Sequence, residues 1–262
     1  METLNTHLIP PLVDIISSYL TKSYKHLRDA EIRFKQTALI KYDPELIVYC
    51  LNNDYCNRNT IFRVNAYYGN LDNMKWLLKN DFPHDELVFR YAAYNGNLDN
   101  MKWLLENKLP YDESIIYSAA SCGHLDVMKW SLDNNFPYNE YVFMFAAYNG
   151  DINNMEWLLK NNFPYDVTTF ISAGNRGNIK TMLWLLKHNF PYDECVFMAA
   201  AEHGRLDIMK WLLEHNFPYN SLTFDRAVQN GNVNNIKWLI EHNFPRGKYN
   251  DDELRKLGLL KN

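Results

Sequence analysis

Three kinds of residue in this 262-residue chain could do chemistry. Carboxylate pairs or close variants follow a Pro at 27-residue intervals, as in His84-Asp85-Glu86, Tyr111-Asp112-Glu113, Tyr138-Asn139-Glu140 and Tyr192-Asp193-Glu194. Paired carboxylates would suit general acid–base work. A reaction needs one such pair, whereas a row of near-copies along one edge suits helix N-caps, whose side-chain oxygens accept from free backbone N–H groups. His84, His124, His188, His203, His215 and His242 form no recurring ligand set. His188, His215 and His242 each precede an Asn that closes a helical run, where a cation meets the negative end of a helix. Cys50, Cys56, Cys122 and Cys195 are scattered without a C-x-x-C word, which suggests neither a zinc site nor a disulfide framework and fits a reducing compartment. With no nucleophile triad, phosphate loop or metal spacing, the chain is expected to be non-enzymatic, without cofactor or metal.

The elements that carry these residues form a repeat. Trp falls at 76, 103, 130, 157, 184, 211 and 238 and nowhere else, each step being 27 residues. A Gly stands seven residues before every Trp (Gly69, Gly96, Gly123, Gly150, Gly177, Gly204, Gly231) and a Pro seven after it (Pro83 to Pro245). Seven in-phase units with no insertion are the mark of a stacked solenoid. Within a unit, the Asp-Glu words precede an apolar run that ends in a small pair such as Ala92-Ala93, Ala119-Ala120 or Ala146-Ala147, then the Gly. The run reads as helix A, and the Gly as the left-handed residue that reverses the chain. Asn97, Asp151, Asn178 and Asn232 are placed to cap helix B. Helix B carries Met101, Trp103, Leu104 and Leu105 or their equivalents as a wide apolar band. An Asn then ends it, and Phe-Pro-Tyr links to the next unit. The Trp ladder is expected to be core packing, filling the interface between units.

Four segments follow: an N-terminal helical cap at 1–30, a degenerate capping repeat at 31–58, seven repeats at 59–246 and a C-terminal capping helix at 247–262. In the first, Leu12, Ile15, Ile16, Tyr19 and Leu20 make an apolar stripe after Pro10-Pro11, fit to cover the end of a stack. In the second, Leu46, Ile47, Tyr49 and Leu51 keep the apolar register without the Gly or Pro. The last offers Asn250-Asp251-Asp252-Glu253 as a charged, capped start.

Composition narrows the function. Lys and Arg number 27 against 31 Asp and Glu, for a net charge of −4 and a pI near 6.1, so the basic excess that selects nucleic acid or anionic membranes is absent. No apolar run approaches the ~18 residues of a membrane span, and no signal peptide is evident. A monomeric protein of the cytoplasm is expected, with neither nucleic acid nor membrane as partner.

The word A-A-x-x-G-x-L-x-x-M-K-W-L-L resembles the ankyrin repeat, with Phe89, Ala92, Ala93, Gly96, Leu98, Met101, Leu104 and Leu105 on the family's core positions. The resemblance implies an all-α solenoid of stacked helix-turn-helix units. An ankyrin unit is ~33 residues, and the missing six lie between Pro and helix A, so the family's β-hairpin fingers are expected to be shortened or absent. Its T-P-L-H helix start is also replaced. The 27-residue unit is similar to ankyrin-like arrays of giant DNA viruses, which implies a viral protein in the host cell cytoplasm. Leu8 to Leu20 also resembles the opening of an F-box, the docking motif for a ubiquitin-ligase adaptor subunit, although Pro11-Leu12 stands where the usual acidic residue follows the Pro.

By analogy with ankyrin arrays, a protein partner is read on the helix-A surface that varies between units. Candidate partner-binding residues are Arg63, Tyr67, Tyr68, Arg90, Tyr94, Tyr117, Tyr148, Arg176 and His203, of residue types that include the Tyr and Arg enriched at binding hot spots. Tyr67, Tyr68 and Tyr94 are expected to form the best patch. The alternative is a substrate-recognition adaptor of a ubiquitin ligase, held through the F-box-like segment.

Overall fold

A computed structural model describes Ile47, Val48, Leu51 and residues 58–256, 258 and 259. The segment 1–30 and nearly all of 31–58 lie outside the described residues. Among the described residues there are fifteen helices and no strand. The fold is an all-α repeat solenoid, and no β-hairpin finger is present in the links between repeats.

Each 27-residue unit supplies two helices. In order these are α1 (Ile61–Tyr68), α2 (Leu71–Lys79), α3 (Leu87–Tyr94), α4 (Leu98–Glu106), α5 (Ser114–Cys122), α6 (Leu125–Asp133), α7 (Tyr141–Asn149), α8 (Ile152–Lys160), α9 (Val167–Arg176), α10 (Ile179–Lys187), α11 (Cys195–Glu202), α12 (Leu206–Glu214), α13 (Ser221–Asn230) and α14 (Val233–Glu241). A shorter α15 (Asp251–Lys256) follows, with Leu254 buried. Two compact units divide the chain, one of Met1–Ala92 with Asn97–Pro110 and one of Ala93–Gly96 with Tyr111–Asn262. In the second, α7 packs against α5 and α9, and α11 against α9 and α13, so the helices A form a row. Paired alanines at 0% exposure, such as Ala146-Ala147 and Ala200-Ala201, leave room for that close approach.

The start of helix A is fixed by the residue after Pro-Tyr. The Oδ1 atoms of Asp112, Asn139, Asp166, Asp193 and Asn220 accept from the backbone N–H two residues on, at 2.9–3.1 Å. These acidic words are caps. At the other end, Gly69 has φ 78°, and a Cβ there would stand 2.7 Å from Asn97 Oδ1, so both conformation and space require glycine.

Helix B begins under the side chains of Asn70, Asp151, Asn178 and Asn232, which accept from Asn73, Asn153, Thr181 and Asn234 N–H. Asn97 departs from its expected role. Its side chain caps nothing in its own helix and instead donates to the carbonyls of Ala66 and Tyr67, at 3.4 and 3.3 Å, in the preceding repeat.

The end of helix B is the most regular feature. Asp81, Lys108, Asn135, Asn162, Asn189, Asn216 and Asn243 are left-handed, with φ between 53 and 59°. The residue after each donates its N–H five residues back, as Phe190 does to Leu185 at 3.1 Å and Phe244 to Leu239 at 3.0 Å, which is the Schellman closure. Before it, the side chains of Asn80, Asn107, Asn134 and Asn161 donate to the carbonyl of the repeat's Trp at 2.8 Å. In the last three repeats His188, His215 and His242 take this place, with Nδ1 2.8 Å from the same carbonyl and the imidazole lying 4.0–4.4 Å from the indole.

That closure delivers a Phe into the core. Phe190 meets Phe143 at 5.0 Å, Tyr165 at 4.1 Å and Trp184 at 5.6 Å between ring centres. The quartet returns as Phe217 with Phe170, Tyr192 and Trp211, and as Phe244 with Phe197, Tyr219 and Trp238. Each quartet ties one repeat's helix A to the following repeat. The Trp residues are a lesser part of this core than their spacing suggests. Trp184, Trp211 and Trp238 are buried beneath their His, while Trp76, Trp103, Trp130 and Trp157 are only half-buried. The Phe that follows six of the left-handed residues, and the Leu109 that follows Lys108, are almost fully buried instead.

Two outcomes follow for stability. Phe190→Ala is expected to cost ~3–5 kcal/mol, and Trp157→Ala clearly less, when urea midpoints are compared; the reverse order would show the indole to be the central group. Lys108→Gly should raise stability and Asn189→Ala lower it, by ~1 kcal/mol each through left-handed strain, again read from the midpoint.

Candidate binding surface

A surface for recognition must lie where side chains are not used by the frame. On helix A the frame takes the buried stripe, such as Val142, Phe143, Ala146 and Ala147 in α7, and leaves the opposite face to vary. Helix B instead presents a charged face, with Lys75 near Asp72 and Lys102 near Asp99 one helical turn apart. Such exposed pairs contribute little.

In the first compact unit, Arg63 is committed. Its Nε donates to Asp85 Oδ1 at 3.0 Å and its Nη2 to Oδ2, across to the link that opens the next repeat. The hydrogen-bonded carboxylate holds the guanidinium still more firmly protonated. Asp85 occupies the position that elsewhere caps helix A, so the ion pair replaces a cap. Tyr67 lies edge-on to Tyr68 at 5.1 Å and to Tyr91 at 6.2 Å, making a three-ring group on α1 and α3. Arg90 is exposed.

In the second unit, Tyr94 is exposed at the end of α3. Tyr117 of α5 stacks on Phe145 of α7 at 5.2 Å and meets Tyr141 edge-on at 6.4 Å. Tyr148 follows one turn along α7, with the Arg176 guanidinium 5.4 Å from its ring centre. Tyr117, Tyr148 and Arg176 are therefore brought together. His203 is not part of that group: its Nδ1 lies 3.0 Å from the Ala199 carbonyl in its own helix.

Some neighbouring positions serve the frame. Asn149 and Asn230, directly before their Gly, donate to the Ser121 and Glu202 carbonyls of the preceding repeat at 3.2 and 3.0 Å. The sequence reading missed Tyr91, Tyr141 and Phe145. A signal was available in α7, where Tyr141-Val-Phe-Met-Phe-Ala-Ala-Tyr148 has no charged residue on either face.

Among the described residues no group of three or more His, Cys, Asp or Glu side chains could hold a metal ion. No described helix is long and apolar enough to cross a membrane.

Paired helices with a glycine reversal, stacked in register and joined by short links, define an ankyrin-type interaction array. The family described as "Ankyrin repeats (3 copies)" matches residues 89–171, 143–225 and 170–253, together more than half of the chain. The protein belongs to the ankyrin-repeat family. Its repeats make it a protein–protein interaction module, of a fold that is typically a non-catalytic scaffold. The crystal structure of the human ASB11 ankyrin repeat domain is similar, with a TM-score of 0.47 and 18% identity over 66% of this chain and 98% of that one. No curated protein matches the sequence.

Cys195, at the start of α11, is half-buried, and its thiol is pushed up first by burial and then by the Asp193 carboxylate. Less thiolate is then present at neutral pH, so alkylation is slowed. Asp193→Asn keeps the cap acceptor, as Asn139 and Asn220 show, and removes the charge. It should speed iodoacetamide labelling of Cys195 and move its pH profile downward, followed by mass spectrometry of that peptide. An unchanged profile would leave burial as the whole cause.

Proposed function

We propose that the protein is a non-enzymatic scaffold that binds a protein partner through the outer face of its helices A. The observation that carries this reading is the contrast within one repeat. Caps, Gly reversals, left-handed ends and the aromatic quartets recur at every 27th residue, while the outward positions of helix A change from ring to serine to arginine. A fixed frame with a varied face is how a solenoid separates folding from recognition. Tyr67, Tyr68, Tyr94, Tyr117, Tyr148, Arg90 and Arg176 are the proposed contact residues. Arg63 and His203 contribute less directly, since the first holds Asp85 and the second its own helix. On the likeness of the short unit to arrays of giant DNA viruses, the reading extends to a viral protein acting as a monomer in the host cytoplasm.

The second reading, a ubiquitin-ligase adaptor, rests on the F-box-like words of Leu8 to Leu20, which lie outside the described residues. One experiment separates the two. Affinity capture is run with the full chain, with Tyr68→Ala and Tyr148→Ala variants, with a Lys102→Ala and Lys210→Ala control, and with residues 1–25 deleted. The scaffold reading expects the bound protein to be lost from at least one Tyr variant and kept by the Lys control; retention by both Tyr variants overturns the proposed face. Ligase subunits recovered equally with and without residues 1–25 exclude the docking role.

A further inference from the structure

Resting on the scaffold reading, we infer that its contact centre is an aromatic ridge on α7, Tyr141, Phe145 and Tyr148, and that its partner is a protein segment bringing apolar side chains and one carboxylate to Arg176.

The ridge stands at i, i+4 and i+7 of α7, so the three rings share one stripe. The helix buries Val142, Phe143, Ala146 and Ala147 on its other side, so it is apolar all round. Such a helix belongs inside a protein, yet Tyr141 is 45% exposed and Tyr148 44%. An apolar outer face left to water marks a surface made to be covered.

Shape supports this. Measured back from each Gly, the same three positions are Ser114, Ser118 and Ser121 in α5, and Thr168, Ser172 and Asn175 in α9. Ser114, Ser118 and Ser172 are buried. The rings therefore rise between two rows of small side chains, and Tyr117 reaches across from α5 to stack on Phe145. A bound segment can lie along the crest of such a ridge.

Charge selects the partner. Along Ser114–Cys122, Tyr141–Asn149 and Val167–Arg176 the single charged residue is Arg176. It lies against Tyr148, and among the described residues it forms no ion pair. A guanidinium beside an aromatic face, with no carboxylate of its own, is matched by an acidic side chain that arrives with the partner.

The test pans a display library of random peptides on the full chain, then measures the selected peptides by fluorescence anisotropy. The expected consensus has apolar residues and an Asp or Glu. Phe145→Ser and Tyr148→Asn, which install types the neighbouring repeats already carry, should each weaken binding at least about tenfold, the scale of a hot spot, with thermal melting unchanged. Arg176→Glu should turn the preference at the acidic position to Lys or Arg. A consensus without a carboxylate, no enrichment over the Phe145→Ser protein, or binding indifferent to these substitutions overturns the inference. So does self-association of the chain that Phe145→Ser abolishes, which would make a second copy the occupant. Peptides lost with Arg226→Ala or Met198→Ala, but not with the ridge variants, would remove the ridge and keep the scaffold reading. Peptides indifferent to every outward helix-A substitution would remove both.

Discussion

The left-handed residue that ends each helix B governs the rest of the fold. By turning the chain within a single residue, it closes the last carbonyls and swings the next side chain inward, a Phe that joins the rings of two repeats or, after Lys108, a Leu. The Pro that follows cannot continue a helix, so the link stays extended and short. Period, link length and interface thus come from one conformational choice. Lys108 makes the same turn without the short polar side chain that eases it in Asn and Asp, so the geometry is imposed by the stack as much as by the residue.

Much of this was legible in advance because it is local. Helix A, the Gly reversal, helix B and the Asn stop each depend on a few adjacent residues, and seven copies make the pattern plain. The acidic words resolved into caps for the same reason. What sequence spacing hid was rank within the core. Trp is the largest apolar group and the most regular marker, yet it sits at a helix edge, while the Phe, or in one repeat Leu109, after each left-handed residue points inward because of the Schellman closure. The long-range roles were equally hidden: Asn97 reaches back thirty-one residues to Ala66 rather than capping its helix, and Arg63 reaches Asp85.

Recognition follows a different logic from folding in such an array. The frame residues must agree from repeat to repeat, since each packs against its own counterpart. The outward residues of helix A have no such obligation, and α7 departs furthest, carrying rings at positions where α5 and α9 carry the smaller serine, threonine and asparagine. On the expected face, individual residues are spent differently. Asn149 and Asn230 stitch repeats together, whereas Arg176 and Tyr148 are left facing outward.

The change from Asn to His at the end of helix B reaches beyond capping. Because every Trp lies within the repeats, the chain's indole emission reports on the array alone. Trp184, Trp211 and Trp238 lie under an imidazole and out of water, while Trp76, Trp103, Trp130 and Trp157 keep one edge wet. The indoles thus fall into a dry, ring-covered set toward the C-terminal repeats and a hydrated set toward the N-terminal ones. The protein carries a built-in optical address along its length, so the colour of the light lost on unfolding tells which end of the array has opened first.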